Sequence, residues 1–104
     1  MTVNNIDIQE DKLLEICNRY KIRELALFGS ALRKDFTENS DVDLLYVFEE
    51  NTTHGLFYVA EIKEEFEKLF GRPVDFVSRK AIERSRNIYR KKAILENVKV
   101  IYAA

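Results

Sequence analysis

The sequence predicts one α/β domain: a single mixed β-sheet with helices packed against it. Helical and strand-like periodicities alternate along the chain, and no repeat, linker or low-complexity segment interrupts them. A length of 104 residues leaves room for one core and no second folded domain, so residues 1–104 are read as a single domain.

The elements follow in order. Asp7 with Glu10 three residues later has the shape of a capping box, and Leu13, Ile16, Cys17 and Tyr20 recur at helical spacing, which predicts a helix over 7–20. Ile22 to Phe28 is β-branched, aromatic and apolar and stops at Gly29: a buried strand ending in a tight turn. A short helix is expected from Ala31, and the polar run Asp35 to Ser40 reads as loop. Asp41 to Phe48 is a second strand, apolar on both faces beyond Asp43, as a central strand of a covered sheet should be. After a loop at 51–55, Leu56, Val59, Ala60, Phe66, Leu69 and Phe70 trace one helical face, with Gly71 at the C-cap and Pro73 barring continuation. Pro73 to Val77 is a third, interior strand. Ser78 is the N-cap of a basic amphipathic helix marked by Ala81, Ile82, Ser85, Ile88, Tyr89 and Lys92, and Val98 to Tyr102 is a closing strand.

Composition excludes several classes. A single cysteine, Cys17, forms no internal disulfide, and with only His54 beside it there is no zinc-like ligand set. The amino terminus lacks a basic flank followed by an apolar stretch, and no apolar run approaches a membrane span, so the expected location is the cytoplasm, without a membrane partner. The net charge of -1 conceals an asymmetry: residues 79–92 hold Arg79, Lys80, Arg84, Arg86, Arg90, Lys91 and Lys92 against Glu83 alone. Whole-chain attraction to nucleic acid is not implied; the segment is either a solvated helix face or a local surface for phosphates or an acidic partner. Cys17, Tyr46, Tyr58 and Tyr89 fall on apolar stripes and read as packing residues, and His54 as a surface residue.

The chemistry concentrates between Gly29 and Asp43. Gly29 and Ser30 follow a strand and open a helix, so backbone N–H groups and the Ser30 hydroxyl are expected to point outward as a phosphate cradle, with Arg33 one turn on to add charge. Taken alone, Gly-Ser after a strand is usually just a turn. Asp41 and Asp43 flank Val42, so on a strand both carboxylates project to one side, with Cα atoms roughly 6.5 Å apart. Like charges so placed call for a cation, and oxygen ligands suit Mg2+. An isolated Asp-x-Asp would be a turn residue and a solvated strand entry. Asp75, between apolar neighbours in Pro73-Val74-Asp75-Phe76-Val77, joins the other two if its strand lies beside Asp41 to Phe48; three carboxylates would then serve two divalent ions. Otherwise it is an edge charge that discourages aggregation.

Gly-Ser, ten residues, then Asp-x-Asp resembles the signature of the DNA polymerase beta-like nucleotidyltransferase superfamily. Within it the chain is similar to the minimal nucleotidyltransferases, antitoxins encoded beside HEPN-domain toxins. Small size, the place of Arg33, Ser40 before the first Asp, Leu44 and Leu45 after the second, and the later Val-Asp-Phe all agree, whereas Lys34 stands where the family loop commonly has glycine. The resemblance implies the nucleotidyltransferase fold and transfer of AMP from ATP to a tyrosine hydroxyl of a partner HEPN ribonuclease. It implies two Mg2+ ions held by Asp41, Asp43 and Asp75, the catalytic residues, with nucleotide bound by Gly29, Ser30, Arg33 and Ser40. Two other functions stay open: neutralisation of the toxin by stoichiometric binding without catalysis, and nucleotidyl transfer to a small molecule or an RNA end.

Overall fold

A computed structural model describes residues 1–52 and 55–104; the expectation for His54 lies outside the described residues. The chain runs β1 (Thr2–Val3), β2 (Ile6–Asp7), α1 (Glu10–Arg19), β3 (Ile22–Phe28), a 3-10 turn (Gly29–Leu32), β4 (Val42–Phe48), α2 (Leu56–Phe70), β5 (Val74–Ser78), α3 (Arg79–Glu83), α4 (Ile88–Leu95) and β6 (Val98–Ala103). Four strands form one sheet in the order β5-β4-β3-β6, while β1 and β2 pair in a separate hairpin. β3 is antiparallel to β4 and β6, and β4 is parallel to β5, so the sheet is mixed as expected.

The two interior strands carry the core. Leu25, Leu27, Val42, Leu44, Tyr46 and Phe48 face α1, α2 and the hairpin, where Leu13, Ile16, Cys17, Ile62 and Phe66 meet them. Ala26, Phe28 and Leu45 face the other way, under Ile82 of α3 and Ile94 and Leu95 of α4. β4 is thus apolar on both faces because both faces are covered. Phe76 brings β5 into the first cluster, its ring stacked on Tyr46 with centroids 4.1 Å apart. No polar or charged residue among the described residues is buried, and no described helix is long and apolar enough to cross a membrane.

Several elements depart from expectation. The expected helix over 7–20 starts at Glu10 because Asp7 belongs to β2; the N-cap is Gln9, which makes no side-chain cap, so the capping-box spacing was coincidental. The short helix expected from Ala31 is the 3-10 turn, beginning at Gly29. On α2, Phe66 is buried with Val59, Leu69 and Phe70 packed beside it as expected, but Leu56 is 82% exposed, Ala60 is exposed, and Ile62, which was not expected, completes the buried stripe. Gly71 ends α2 with φ +69°, as the C-cap reading requires. β5 is an edge strand, not an interior one. Its edge is tied down where the Val74 amide donates to Glu67 Oε2 (3.1 Å). Ser78 caps α3 by accepting from the Ala81 amide, but the basic helix breaks at 84–87, and Asn87 caps a second helix by accepting from the Arg90 amide. Tyr89 is 88% exposed, so it is not a packing residue.

Candidate active site

Because β3 runs antiparallel to β4 and β4 parallel to β5, the end of β3 and the beginnings of β4 and β5 fall on one edge of the sheet. The Gly29 turn therefore sits beside Asp43 at this edge. The parallel register pairs Val42 with Val74 and Asp43 with Asp75. Both valines are buried on the α1–α2 side, so alternation sends Asp43 and Asp75 to the opposite face, on neighbouring strands about 4.8 Å apart. Asp41 stands one residue before β4 and is exposed, as is Asp75; Asp43 is half-buried. Among the described residues no three His, Cys, Asp or Glu side chains already stand close enough to cage a metal ion. Asp41 and Asp75 are exposed, and neither carboxylate is held by a hydrogen bond or ion pair among the described residues.

The turn is coupled directly to the second carboxylate. Gly29 takes φ +59°, and a Cβ there would lie 2.6 Å from Asp43 Oδ2, so the turn admits no larger residue without displacing the carboxylate. The Ser30 amide donates to Asp43 Oδ2 at 2.9 Å and the Ser30 hydroxyl to the same oxygen at 2.8 Å. The Ser30 hydroxyl also lies 3.1 Å from the Asp41 carbonyl oxygen. Ser30 was expected to direct both donors outward; instead both are aimed at the metal-ligand candidate. The turn is a four-residue 3-10 segment, so the expected helix dipole is not available, and attraction for an anion must come from individual donors and Arg33.

Arg33 is exposed, and its side chain makes no ion pair among the described residues; it borders a cleft of about 490 Å3 lined by Gly29, Leu32, Ala93, Glu96, Asn97 and Val98. Ser40 lies half-buried at the loop's end, its hydroxyl accepting from the Thr37 amide (3.1 Å). The donor set fits a hard divalent cation: oxygen-only, drawn from adjacent strands, with backbone space at Gly29 that a Cβ would fill.

Two residues missed in the sequence hold this assembly. Asn4 donates from Nδ2 to the carbonyls of Ala31 (2.9 Å) and Arg33 (2.8 Å), tying the amino-terminal hairpin to the turn. Arg72 donates from Nη1 to the carbonyls of Thr37 (3.0 Å) and Ser40 (3.3 Å), and its guanidinium lies 5.0 Å from the centroid of the Phe36 ring. The Asn4-Asn5 pair was a readable turn signal, since both adopt positive φ, but nothing in the sequence pointed to the Arg72 contacts.

The model of the nucleotidyltransferase domain family matches residues 10–101. The chain belongs to this family. A relative in Methanocaldococcus jannaschii, MJ1379, provisionally named a protein adenylyltransferase, is 38% identical over 81 residues, 78% of each chain. Two solved structures share the nucleotidyltransferase fold. One is a toxin–antitoxin crystal structure with AMP-PNP (TM-score 0.68, 17% identity, 93% of this chain and 75% of that one). The other is a tri-AMPylated Shewanella oneidensis HEPN toxin in complex with an MNT antitoxin (TM-score 0.58, 18% identity, 91% and 70%). This nucleotidyltransferase thus places its Gly-Ser turn and its Asp-x-Asp strand against each other at one sheet edge, joined by the loop 33–41.

Proposed function

We propose that this chain transfers AMP from ATP to a tyrosine hydroxyl of a HEPN-domain ribonuclease toxin and acts as its antitoxin. The observation that carries the reading is the juxtaposition of Asp43 with Asp75 by register, with Ser30 against Asp43. The relative's adenylyltransferase name and the HEPN–MNT complex with its AMPylated toxin support the reaction and the partner; the AMP-PNP complex supports a nucleoside triphosphate as donor.

In this reading Gly29 and Ser30 receive the β and γ phosphates, Arg33 and Ser40 flank the triphosphate, and Asp75 accepts the proton of the attacking hydroxyl. The oxygen of the acceptor forms a bond to the α-phosphorus as the bond to pyrophosphate breaks. Asp41, Asp43 and Asp75 would hold two Mg2+ ions, which when bound neutralise phosphate charge and polarise the phosphoryl oxygens. Nucleotidyl transfer asks mainly for positioning and charge neutralisation, which a small scaffold can provide when the acceptor arrives on another protein.

The test incubates the chain with Mg2+, α-labelled ATP and the HEPN protein encoded beside it. Label should reach a partner tyrosine with release of pyrophosphate, and Asp41→Asn with Asp43→Asn should lower transfer by about a hundredfold or more. Silencing of the toxin with no label transferred would replace this reading with stoichiometric binding.

A further inference from the structure

We propose that Ser30 is a positioning residue for Asp43 as well as a phosphate donor, and that the two roles exclude each other, so that this side chain links capture of the divalent cation to capture of the triphosphate. The inference rests on the nucleotidyl-transfer reading above. Its geometry is specific. One carboxylate oxygen, Asp43 Oδ2, accepts both donors of a single residue, the Ser30 amide at 2.9 Å and the Ser30 hydroxyl at 2.8 Å. The left-handed Gly29 makes this approach possible, since a Cβ at that position would occupy the space 2.6 Å from the same oxygen.

An amide and a hydroxyl have one proton each, so neither can serve Asp43 and a phosphate oxygen fully at once. While both point at Oδ2, their positive ends oppose a cation at that oxygen. When Asp43 turns Oδ2 to a cation, the Ser30 amide loses its acceptor and the hydroxyl keeps only the longer contact to the Asp41 carbonyl oxygen at 3.1 Å, and an oxygen of the incoming phosphate takes the vacated place. Each ligand therefore favours the other, and the coupling is reciprocal by thermodynamic necessity. Arg33, exposed and without an ion pair among the described residues, can meet the phosphate without this exchange.

The test measures two ligands separately. Mn2+ is titrated into the nucleotide-free protein and followed by its electron paramagnetic resonance signal; AMP-PNP is then titrated at saturating Mn2+. Ser30→Ala removes the hydroxyl, so Mn2+ binding without nucleotide should tighten by about threefold to tenfold while AMP-PNP binding weakens by a similar factor. Ser30→Thr, which keeps both donors, should resemble the wild type. In an Asp43→Asn background, Ser30→Ala should leave Mn2+ binding unchanged. A merely structural lesion would weaken both ligands together, and this outcome, or unchanged Mn2+ binding in Ser30→Ala, overturns the proposal. Failure of the wild type to bind AMP-PNP at saturating Mn2+ would sink the nucleotidyl-transfer reading instead, with the Mn2+ arm still deciding whether Ser30 restrains Asp43.

Discussion

Replacing Gly29 with alanine tests how tightly the turn and the carboxylate are joined. Two effects add at this position. Left-handed backbone costs a residue with a Cβ about 1–2 kcal/mol. The new methyl would also sit 2.6 Å from Asp43 Oδ2, so the carboxylate must move, and its two hydrogen bonds from Ser30 stretch or break. Since Asp43 is half-buried and water can replace part of what is lost, that loss is about 1 kcal/mol. The sum, about 2–3 kcal/mol, lowers the melting temperature by roughly 10–15 °C in a domain of this size. Gly71 provides the control. It has φ +69° but nothing within 4 Å of an added Cβ, so Gly71→Ala should show only the backbone cost, about 1–2 kcal/mol. Thermal melts of the two variants give the difference, and AMP transfer gives the functional consequence: on the order of a hundredfold loss for Gly29→Ala, because a ligand displaced by an ångström is badly placed, and none for Gly71→Ala. Equal melting temperatures with full activity in both variants would refute the close coupling.

Arg72→Ala should release the loop 36–41 from two carbonyl anchors and the Phe36 ring, with a stability loss of about 1 kcal/mol and faster amide hydrogen exchange at Ser40, whose carbonyl Arg72 holds and which precedes Asp41; unchanged exchange there would count against the strap. Cys17 is wholly buried, and burial pushes its thiol up to about 12 from 9.0. The folded value is the raised one, so its contribution is intact below pH 9 and fades as pH climbs toward 12; denaturant melts across this range should steepen relative to Cys17→Ala, and parallel curves would contradict this. Glutamate at Arg84, Arg86 and Arg90, all exposed and without ion pairs among the described residues, should leave stability within about 0.5 kcal/mol and weaken partner association in a salt-dependent way, measured by calorimetry; unaltered association would remove that surface from the interface.

The interior strands were legible because burial on both faces leaves continuous apolar runs at 25–28 and 44–48, within the strands 22–28 and 42–48. The caps at Gly71 and Ser78 were legible because each rests on one residue's local chemistry. The hairpin over 2–7 escaped because two-residue strands show no periodicity, and Asp7 to Glu10 imitated a helix start. The end of α1 was legible to within one residue from Tyr20, the last apolar position of the stripe, although Lys21 takes the left-handed conformation in which glycine is the usual signal. The break between α3 and α4 lies among Arg84, Ser85, Arg86 and Asn87, polar residues that neither stop nor sustain a helix by type, so the capping role of Asn87 became visible only in three dimensions. For Asp75 alternation correctly gave the face, but a single apolar-flanked strand could not say whether it lay inside the sheet or at its edge.

The division of the site between rigid and less rigid supports also orders its sensitivity. Asp43 lies within β4, an interior strand bonded on both sides, and Ser30 follows β3, the other interior strand; their contact is set by the register of the sheet. Asp75 is held on one side only, by the pairing of β5 with β4 and by the Glu67 contact to the Val74 amide. Asp41 lies outside the strands; apart from the Ser30 hydroxyl 3.1 Å from its carbonyl oxygen, its position depends on the loop that Arg72 and Asn4 pin at its two ends. Distant damage to the fold should therefore reach Asp41 first and Asp43 last. Changes at Asn4 and Arg72, neither of which touches a carboxylate, are the ones that separate loop positioning from the chemistry of the strand.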